Sequence, residues 1–555
     1  MYTPHLQYWV AITITLTIIA LLVMFFGDVQ GKYSGLLGIL AIIYITGFPL
    51  LRGYYFYALS DGFGHLGYVR DVGTYSIIQR TNLYPGMHLE AGIIGLITSH
   101  SPETSIMLMI PMAVLLFTLS VGVAVRRLTN HQTSTSVGVL MSLFIAPNMS
   151  AQNPLLEPTP SSVAIFFSAF PILVLLFLID QRKWQYTTIL LISFVSLLLF
   201  HPQYAVAFIL FTATVSFLIY LLPTRIPGRI SRDTGILSII LGILIYGWII
   251  DKTGMRGALV YLMRSVLEIG ETSSAGIQTR GEGLAAVGTS IIEIALKILS
   301  PKIFLCILAV ATIIRIEAVR RSRLRRWYLS HASVYFISCS TVALFIIVYS
   351  SIGQLIQAVR YSAFLLVFIT IFAALGVGIS QKNRLGSLKI GLTIILIICL
   401  VVTVPVYFLS PYIYQGSPNT PESEFTGYDI TFTYQGEAGV ATTRGEPDRF
   451  WTGLYGDYEN RVQGPRSDNK VLADIDSNRA ESYYVPYHWN SSTPSGAISK
   501  EIYVISSERA KEIDVELYSG LRFTKDELRL LETDTRSKKI VDTKGNTVYL
   551  VHPME

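Results

Sequence analysis

Over most of the chain, apolar residues follow neither a helical nor a strand period. They run on in stretches that reach or pass the roughly 18 residues a helix needs to cross a bilayer. About twelve such stretches fall near residues 8–26, 34–51, 105–125, 134–150, 161–179, 185–200, 203–222, 235–251, 301–318, 331–350, 362–380 and 390–409. After Pro411 the pattern changes abruptly. Residues 411–470 are rich in Gly, Pro, Thr, Tyr and Asp, which predicts loops and short strands. Residues 482–505 hold strand-like pieces, including Glu501-Ile-Tyr-Val-Ile-Ser506, and 508–517 and 524–533 read as helices. Thr524 with Glu527 three residues on is a capping-box pattern. Lys539 to Val551 reads as a hairpin turning at Lys544-Gly545-Asn546. The expected fold is an α-helical polytopic membrane protein of about twelve spans (residues 1–410) carrying a small C-terminal α/β module (residues 411–555). No repeat of 20–50 residues is apparent, and the two halves of the membrane part do not match as inverted repeats.

Composition sharpens this. Of 555 residues 51% are hydrophobic and only 14% charged, which excludes a soluble globular enzyme, a disordered chain and a nucleic-acid-binding protein. The net charge of +6 averages two unlike parts: residues 1–410 hold 27 Lys/Arg against 14 Asp/Glu, and residues 411–555 hold 16 against 23. The basic part is the membrane part, so its charge reports topology. Alternate connections contain Arg126–Arg127, Arg182–Lys183, Arg225/Arg229/Arg232, the cluster from Arg315 to Arg326, and Lys382/Arg384/Lys389. The positive-inside rule puts this set in the cytoplasm. Residues 52–104, 151–160, 252–300, 351–361 and everything after 410 then face outside, and so does the N-terminus. The first span lacks a basic flank and a cleavage site, so it reads as an anchor. Ten of the 14 carboxylates of the membrane part fall in the outer loops. Cys306, Cys339 and Cys399 all lie in apolar spans and offer no metal-ligand spacing and no disulfide framework.

Two outer loops are long. The run from Arg256 through Arg264 to Glu268 is amphipathic and suits a helix lying at the interface, followed by a Gly-rich stretch at 270–288. The first loop, 52–104, carries the densest chemistry: Ser60-Asp61-Gly-Phe-Gly-His65, then Arg70-Asp71, then Asn82-Leu-Tyr84-Pro85-Gly-Met-His88-Leu-Glu90. Asp61 and His65 lie one turn apart on a short helix for which Ser60 offers a cap. Carboxylates and imidazoles at a membrane surface are costly to bury and mark function more often than packing; an N-capping Asp61 with interfacial histidines is the plain alternative.

An Asp shortly after the N-terminal spans, a His four residues on, a basic-acidic pair and a Tyr-Pro-x-x-His helix start resemble archaeal members of the GT-C superfamily, multi-span glycosyltransferases that use polyprenyl-phosphate-linked sugars. The likeness continues at Phe200-His201-Pro202-Gln203, at Arg360-Tyr361-Ser opening a late span, and at the closing Lys-Ile-Val-Asp-x-x-Gly-Asn-x-x-Val-Tyr pattern. It extends over most of the chain in architecture and about 30 residues in motif. It implies a GT-C-like fold, with Asp61 at the position of the catalytic base. Two spans rather than one precede this loop, which departs from the family core. The Trp-Trp-Asp signature of oligosaccharyltransferases is absent and Phe450-Trp451 to Asp457 is a faint echo, so en bloc oligosaccharide transfer is not expected.

Chemistry points the same way. A sugar on a polyprenyl phosphate has its anomeric carbon bound to a leaving group anchored in the bilayer. An attacking acceptor hydroxyl must lose a proton, which Asp61 could take. The departing phosphate needs cations: Arg360 first, then Arg264, Arg70 and His201. His65, Asp71, Tyr84, His88, Glu90 and Tyr361 are supporting candidates. No cofactor is required, since Arg and Lys can neutralise one phosphate, although Asp61, Asp71, Glu90 and His65 could contribute to a divalent metal site. Asp474-Ile-Asp476 reads as a surface loop. The expected partners are a polyprenyl-phosphate-linked sugar, a glycan or glycoprotein acceptor and the bilayer, in the decoration of surface glycoproteins. A transporter or lipid-linked-sugar flippase, and a polysaccharide polymerase or ligase, are the competing readings; span centres nearly free of charge count against a transporter.

Overall fold

A computed structural model describes residues 6–554 apart from 79–81, 146–148, 151, 152, 155, 182, 222–227, 252–284, 286, 287, 322–330, 353, 382–385, 437 and 459–483. The expected 256–268 helix with Arg264, nearly all of the Gly-rich stretch, and Asp474 and Asp476 lie outside the described residues.

The membrane part is helical: α1 (Leu6–Phe25), α2 (Gly27–Thr46), α3 (Phe48–Leu51), α4 (Ser60–Tyr75), α5 (Pro85–Thr98), α6 (Pro102–Thr129), α7 (Gln132–Met141), α8 (Pro160–Gln181), α9 (Trp184–Phe200), α10 (Pro202–Leu221), α11 (Gly228–Asp251), α12 (Ile291–Arg321), α13 (His331–Ser351), α14 (Leu355–Gln381) and α15 (Gly386–Thr403). Helices α5, α6, α8 and α10 each start on a proline, whose missing N–H is no loss in a first turn. Among the described residues, α1, α6, α8, α10, α12, α13, α14 and α15 contain stretches long and apolar enough to cross a bilayer. The apolar parts of α2, α7, α9 and α11 coincide with the other four expected stretches and are shorter, 10–17 residues. The chain is a multi-pass membrane protein. Burial separates centre from rim: 78% of the apolar windows of α8 and α14 is buried, against 22% for α12. Exposed Ile303, Ile307 and Ile314 on α12 form a surface that only lipid would cover without cost.

Contacts sort the connections into the same two sets as the charges. At one end Arg127 meets Asp180 at 2.7 Å and Lys389 lies 5.3 Å over the ring of Phe25. At the other, Gln203 Nε2 donates to the carbonyl of Gln357 (3.3 Å), Lys297 Nζ donates to that of Tyr412 (2.8 Å), and the amide of Leu59 donates to Glu157.

Strand β1 (Phe56–Tyr57), in the loop that precedes α4, pairs antiparallel with β4 (Asn419–Thr420), just past the last span; β2 (Met149–Ser150) and β3 (Asn153–Pro154) form a second small pair. Beyond them come α16 (Glu422–Tyr434), α17 (Pro447–Tyr455), α18 (Glu508–Glu512) and α19 (Lys525–Thr533). The sheet runs β5 (Gly439–Thr442), β6 (Ile502–Ser507), β8 (Asn546–Val551), β7 (Ser537–Asp542), with β5–β6 parallel and the rest antiparallel. Alternation along the strands serves two cores. Val504, Tyr549 and Val551 face a local cluster with Trp489 and Phe523, while Ile505 and Val548 join the core continuous with the membrane helices. The Thr524–Glu527 capping box and the β7–β8 hairpin form where the pattern placed them. The 508–517 helix does not run through: α18 stops at Glu512 and a π-helical turn, Ile513–Leu517, follows.

Helix α4 carries glycines at 62, 64, 67 and 73, each costing about 1 kcal/mol of helix propensity relative to Ala. Packing on α17 offsets this. A Cβ on Gly67 would stand 2.3 Å from the Thr452 carbonyl oxygen, so the two backbones touch. Phe63 and Phe450 rings pack at 4.3 Å, Arg70 Nε donates to the Gly453 carbonyl (2.6 Å), and Asp71 accepts the amides of Asp457 (3.1 Å) and Tyr458 (3.0 Å). Gly67→Ala should therefore destabilise the folded protein by about 1–3 kcal/mol. Gly73→Ala, where a Cβ meets nothing within 4 Å, should stabilise it by up to ~1 kcal/mol. Thermal unfolding of the two detergent-solubilised variants checks the opposite signs.

Candidate active site

Asp61 lies in the first turn of α4 with its side chain 62% exposed, open to a reactant. Ser60 is not the cap that the sequence suggests. The N-cap is Leu59, without a side-chain bond, and the Ser60 hydroxyl instead donates to Glu446. Arg449 of α17 bridges the two acids, with Nη2 3.4 Å from Asp61 Oδ1 and Nε 3.5 Å from Glu446.

Behind Asp61 lies a histidine chain whose tautomers follow from its partners. Asn82 Oδ1 accepts the Tyr84 amide (2.9 Å), so its Nδ2 group donates to His88 Nδ1 (2.8 Å). His88 then carries its proton on Nε2 and donates to His65 Nδ1 (3.1 Å), which leaves His65 with an Nε2 proton one turn from Asp61. Burial, reinforced by the Arg449 charge and opposed by that of Asp61, pushes His65 down to about 4. Burial likewise holds His88 and His201 well below the ordinary imidazole value, with His65 adding to the shift of His88, and Arg360 and His65 to that of His201. All three rings are neutral at neutral pH.

His201, at the α9–α10 junction, stacks on Tyr84 (centroids 4.8 Å, 17°). Arg360, near the start of α14, acts electrostatically on both Tyr84 and His201. Its Nε and His201 Nδ1 are buried with no hydrogen-bond partner among the described residues. Buried polar atoms are almost always paired, so two such atoms around one ring pair suit a polar group supplied from outside.

Other expected site residues are occupied elsewhere. Arg70 is bonded to Glu103 and Gly453, so its guanidinium is committed to joining α4, α6 and α17. Asp71 is buried under the 457–458 amides. Tyr361 stacks on Tyr349 of α13 (5.4 Å). Glu90 is partly buried and its carboxyl is raised by that burial. The expected divalent set of Asp61, Asp71, Glu90 and His65 does not form a cluster. Among the described residues no three His, Cys, Asp or Glu side chains converge as metal ligands.

Glu157 is the residue that the sequence did not single out. It is fully buried and accepts the amide of Leu59, immediately before α4. Burial pushes its carboxyl up to about 8, with the Leu59 amide opposing and the Asp61 charge adding to the rise. Two neighbouring carboxyl groups thus divide: Glu157 stays protonated at neutral pH while Asp61 faces the solvent. Arg449 and Glu446 were also unmarked, since nothing local distinguishes them from surface charges of the acidic C-terminal part.

No protein-family model matches the chain, and no curated protein matches it in sequence. Solved structures do. The archaeal oligosaccharyltransferase AglB from Archaeoglobus fulgidus, in complex with an inhibitory peptide and a dolichol-phosphate, is similar over 94% of this chain and 74% of its own, at 12% identity and a TM-score of 0.50. The apo form of the Archaeoglobus fulgidus oligosaccharyltransferase is similar over 99% and 76% (10% identity, TM-score 0.49). ArnT from Cupriavidus metallidurans, bound to undecaprenyl phosphate, is similar over 94% and 97% (10% identity, TM-score 0.43). At such identities the likeness is one of fold. The chain shares its fold with AglB, in keeping with the polytopic helical membrane architecture that its sequence implied.

The buried groups set a pH dependence. Between pH 4 and 6.5 the unfolded chain binds more protons at the three histidines than the folded one, so stability rises with pH there. Glu157 acts oppositely: from about 4.5 to 8 the folded state binds its proton more tightly, so stability falls as pH rises. The histidines outnumber it below 6.5; above 6.5 only Glu157 of this group remains. Thermal unfolding between pH 6.5 and 8 should show a decline of up to about 1.4 kcal/mol per pH unit from this residue, and Glu157→Gln should abolish that component while leaving the acid limb in place.

Proposed function

We propose that the chain is a membrane glycosyltransferase that moves a sugar from a polyprenyl (dolichyl-type) phosphate to an acceptor hydroxyl on the extracytoplasmic face of the cell membrane, in glycan or glycoprotein decoration. Residues 1–410 would form the transferase domain and residues 411–555 an extracytoplasmic domain. One observation carries this reading: an exposed carboxylate, Asp61, stands beside a layer of buried neutral imidazoles that leads to a guanidinium with an unpartnered buried Nε, at the ends of apolar helices. The fold shared with AglB, whose structure holds a dolichol-phosphate, agrees with it.

In this reading the polyprenyl chain lies in the bilayer and its phosphate meets Arg360 and the Nδ1 edge of His201. The acceptor oxygen attacks the anomeric carbon from the face opposite the phosphate. The bond from that carbon to the phosphate oxygen breaks, the phosphate leaves with the electron pair, and configuration at the carbon inverts. Asp61 takes the acceptor proton. Arg449 keeps its carboxylate aimed, and protonated Glu157 holds the α4 N-terminus without adding a further negative charge. Neutral histidines suit this arrangement, because they shape the phosphate side without competing for the proton that Asp61 must take. Cationic hydrogen bonds to the phosphate gain strength next to low-dielectric lipid.

The test is transfer in membranes, with dolichyl-phosphate-mannose and dolichyl-phosphate-glucose offered separately. Wild type should label an acceptor from one of them. Asp61→Asn should lose about 10²–10⁴-fold in rate while folding normally, and near-normal activity of that variant would remove Asp61 from the mechanism. Arg360→Ala should raise the donor KM by on the order of 10- to 100-fold with the acceptor KM little changed. Labelled lipid crossing the bilayer without transfer would favour a flippase instead.

A further inference from the structure

Beside Asp61, between the start of α4 and the β5–β8 sheet, lies a cleft of about 300 Å³. Its near wall is Ser60 and Glu446, the pair that Arg449 joins to Asp61. Its far wall carries Arg444, Arg509, Arg522, Tyr484 and Tyr518. The three cations are not equivalent. Arg444 is bonded to the buried Asp514 (2.5 Å), and Arg509 makes a two-point pair with the buried Glu424 (3.1 and 3.3 Å). Arg522 has no carboxylate at ion-pair distance among the described residues. It is held instead by aromatic faces, 5.3 Å from the centre of Tyr484 and 4.9 Å from that of Tyr487. Arg444 lies over Tyr518 in the same way, at 4.9 Å.

We infer that this cleft is the acceptor subsite and that it takes a sugar residue bearing a carboxylate, a hexuronate, whose acid group pairs with Arg522. The inference rests on the transferase reading above and names its acceptor class. With Arg444 and Arg509 neutralised from behind, the positive charge that the cleft presents is that of Arg522, and a guanidinium matches a carboxylate at two points. The volume lies at the small end of ligand sites and suits one or two sugar rings rather than an extended peptide. A hydroxyl of a ring seated here would be directed past Ser60 toward Asp61.

The experiment measures binding and transfer separately, on the full-length protein in detergent. Probes are a glucuronate-containing disaccharide, the matched glucose disaccharide and a triglutamate peptide, titrated calorimetrically into the Asp61→Asn variant, whose cleft is intact. The glucuronate probe should bind at least about tenfold more tightly than its neutral match. Adding Arg522→Gln should erase that preference without changing affinity for the neutral probe, and Arg522→Lys should restore part of it. In transfer assays with Asp61 intact, Arg522→Gln should raise the KM of an acidic acceptor and leave the donor KM unchanged. Equal affinity of the acidic and neutral probes overturns the proposal, and that comparison needs no Arg522 variant. Tighter binding of triglutamate than of glucuronate overturns the sugar assignment in favour of a peptide. Glucuronate binding without transfer from any polyprenyl-phosphate sugar would leave the acidic-sugar site standing and sink the reaction instead.

Discussion

The contact of α4 with α17 is the constraint on which the site depends. A helix with four glycines in sixteen residues is a poor helix by itself, and it forms because the same glycines let the Thr452 carbonyl reach Gly67. That approach seats Phe63 on Phe450, occupies Arg70 and Asp71, and brings Arg449 to Asp61. The β1–β4 pair and the Leu59 amide on Glu157 hold the chain just before α4. A base must lie within hydrogen-bond reach of its proton to act. For Asp61, the base of the proposed reaction, that placement comes from a segment nearly 400 positions away in the chain.

Burial then divides the ionisable groups by role. Glu157 and the three histidines give up their charge because little water reaches them, while Arg449 joins Asp61 to Glu446 and Arg360 stands near the start of α14. Asp61 faces solvent, and Arg360 stands near the start of an apolar helix. That separation suits a reaction in which a proton is lost on one side of the anomeric carbon while negative charge grows on the other. Glu446 already shares Arg449 with Asp61, and desolvation of Glu157 keeps a further ionised carboxylate from joining them.

The C-terminal part and the membrane part are not independent bodies in packing. Ile505 and Val548 on one face of the C-terminal sheet belong to the same apolar core as the bundle, while the other face closes over Trp489 and Phe523. A sheet with one face on the bundle cannot swing freely over the site. The segments next to it carry Arg444, Arg509, Arg522, Tyr484 and Tyr518, which line the cleft that Ser60, the neighbour of Asp61, also lines.

Much of this was legible in the chain alone, wherever the determining forces are local or set by the solvent. Uncharged runs must be helices in lipid, because unpaired backbone groups cannot be left there, and Lys/Arg bias separated the connections into the two sets that the contacts reproduce. Asp61, His65, Tyr84, His88, His201 and Arg360 stood out because polar residues at helix ends near a membrane are conspicuous. Glu157, Arg449, Glu446 and Arg522 did not, and neither the occupation of Arg70 and Asp71 nor the loss of the Ser60 cap could be read in advance. A carboxylate in a short Pro-rich loop, or an arginine in a charged segment, looks the same in sequence whether it ends in solvent, in an ion pair or beneath a helix. Only the tertiary structure decided this, because desolvation and charge pairing depend on which distant residues arrive within a few ångströms, and nothing in local composition encodes that distance.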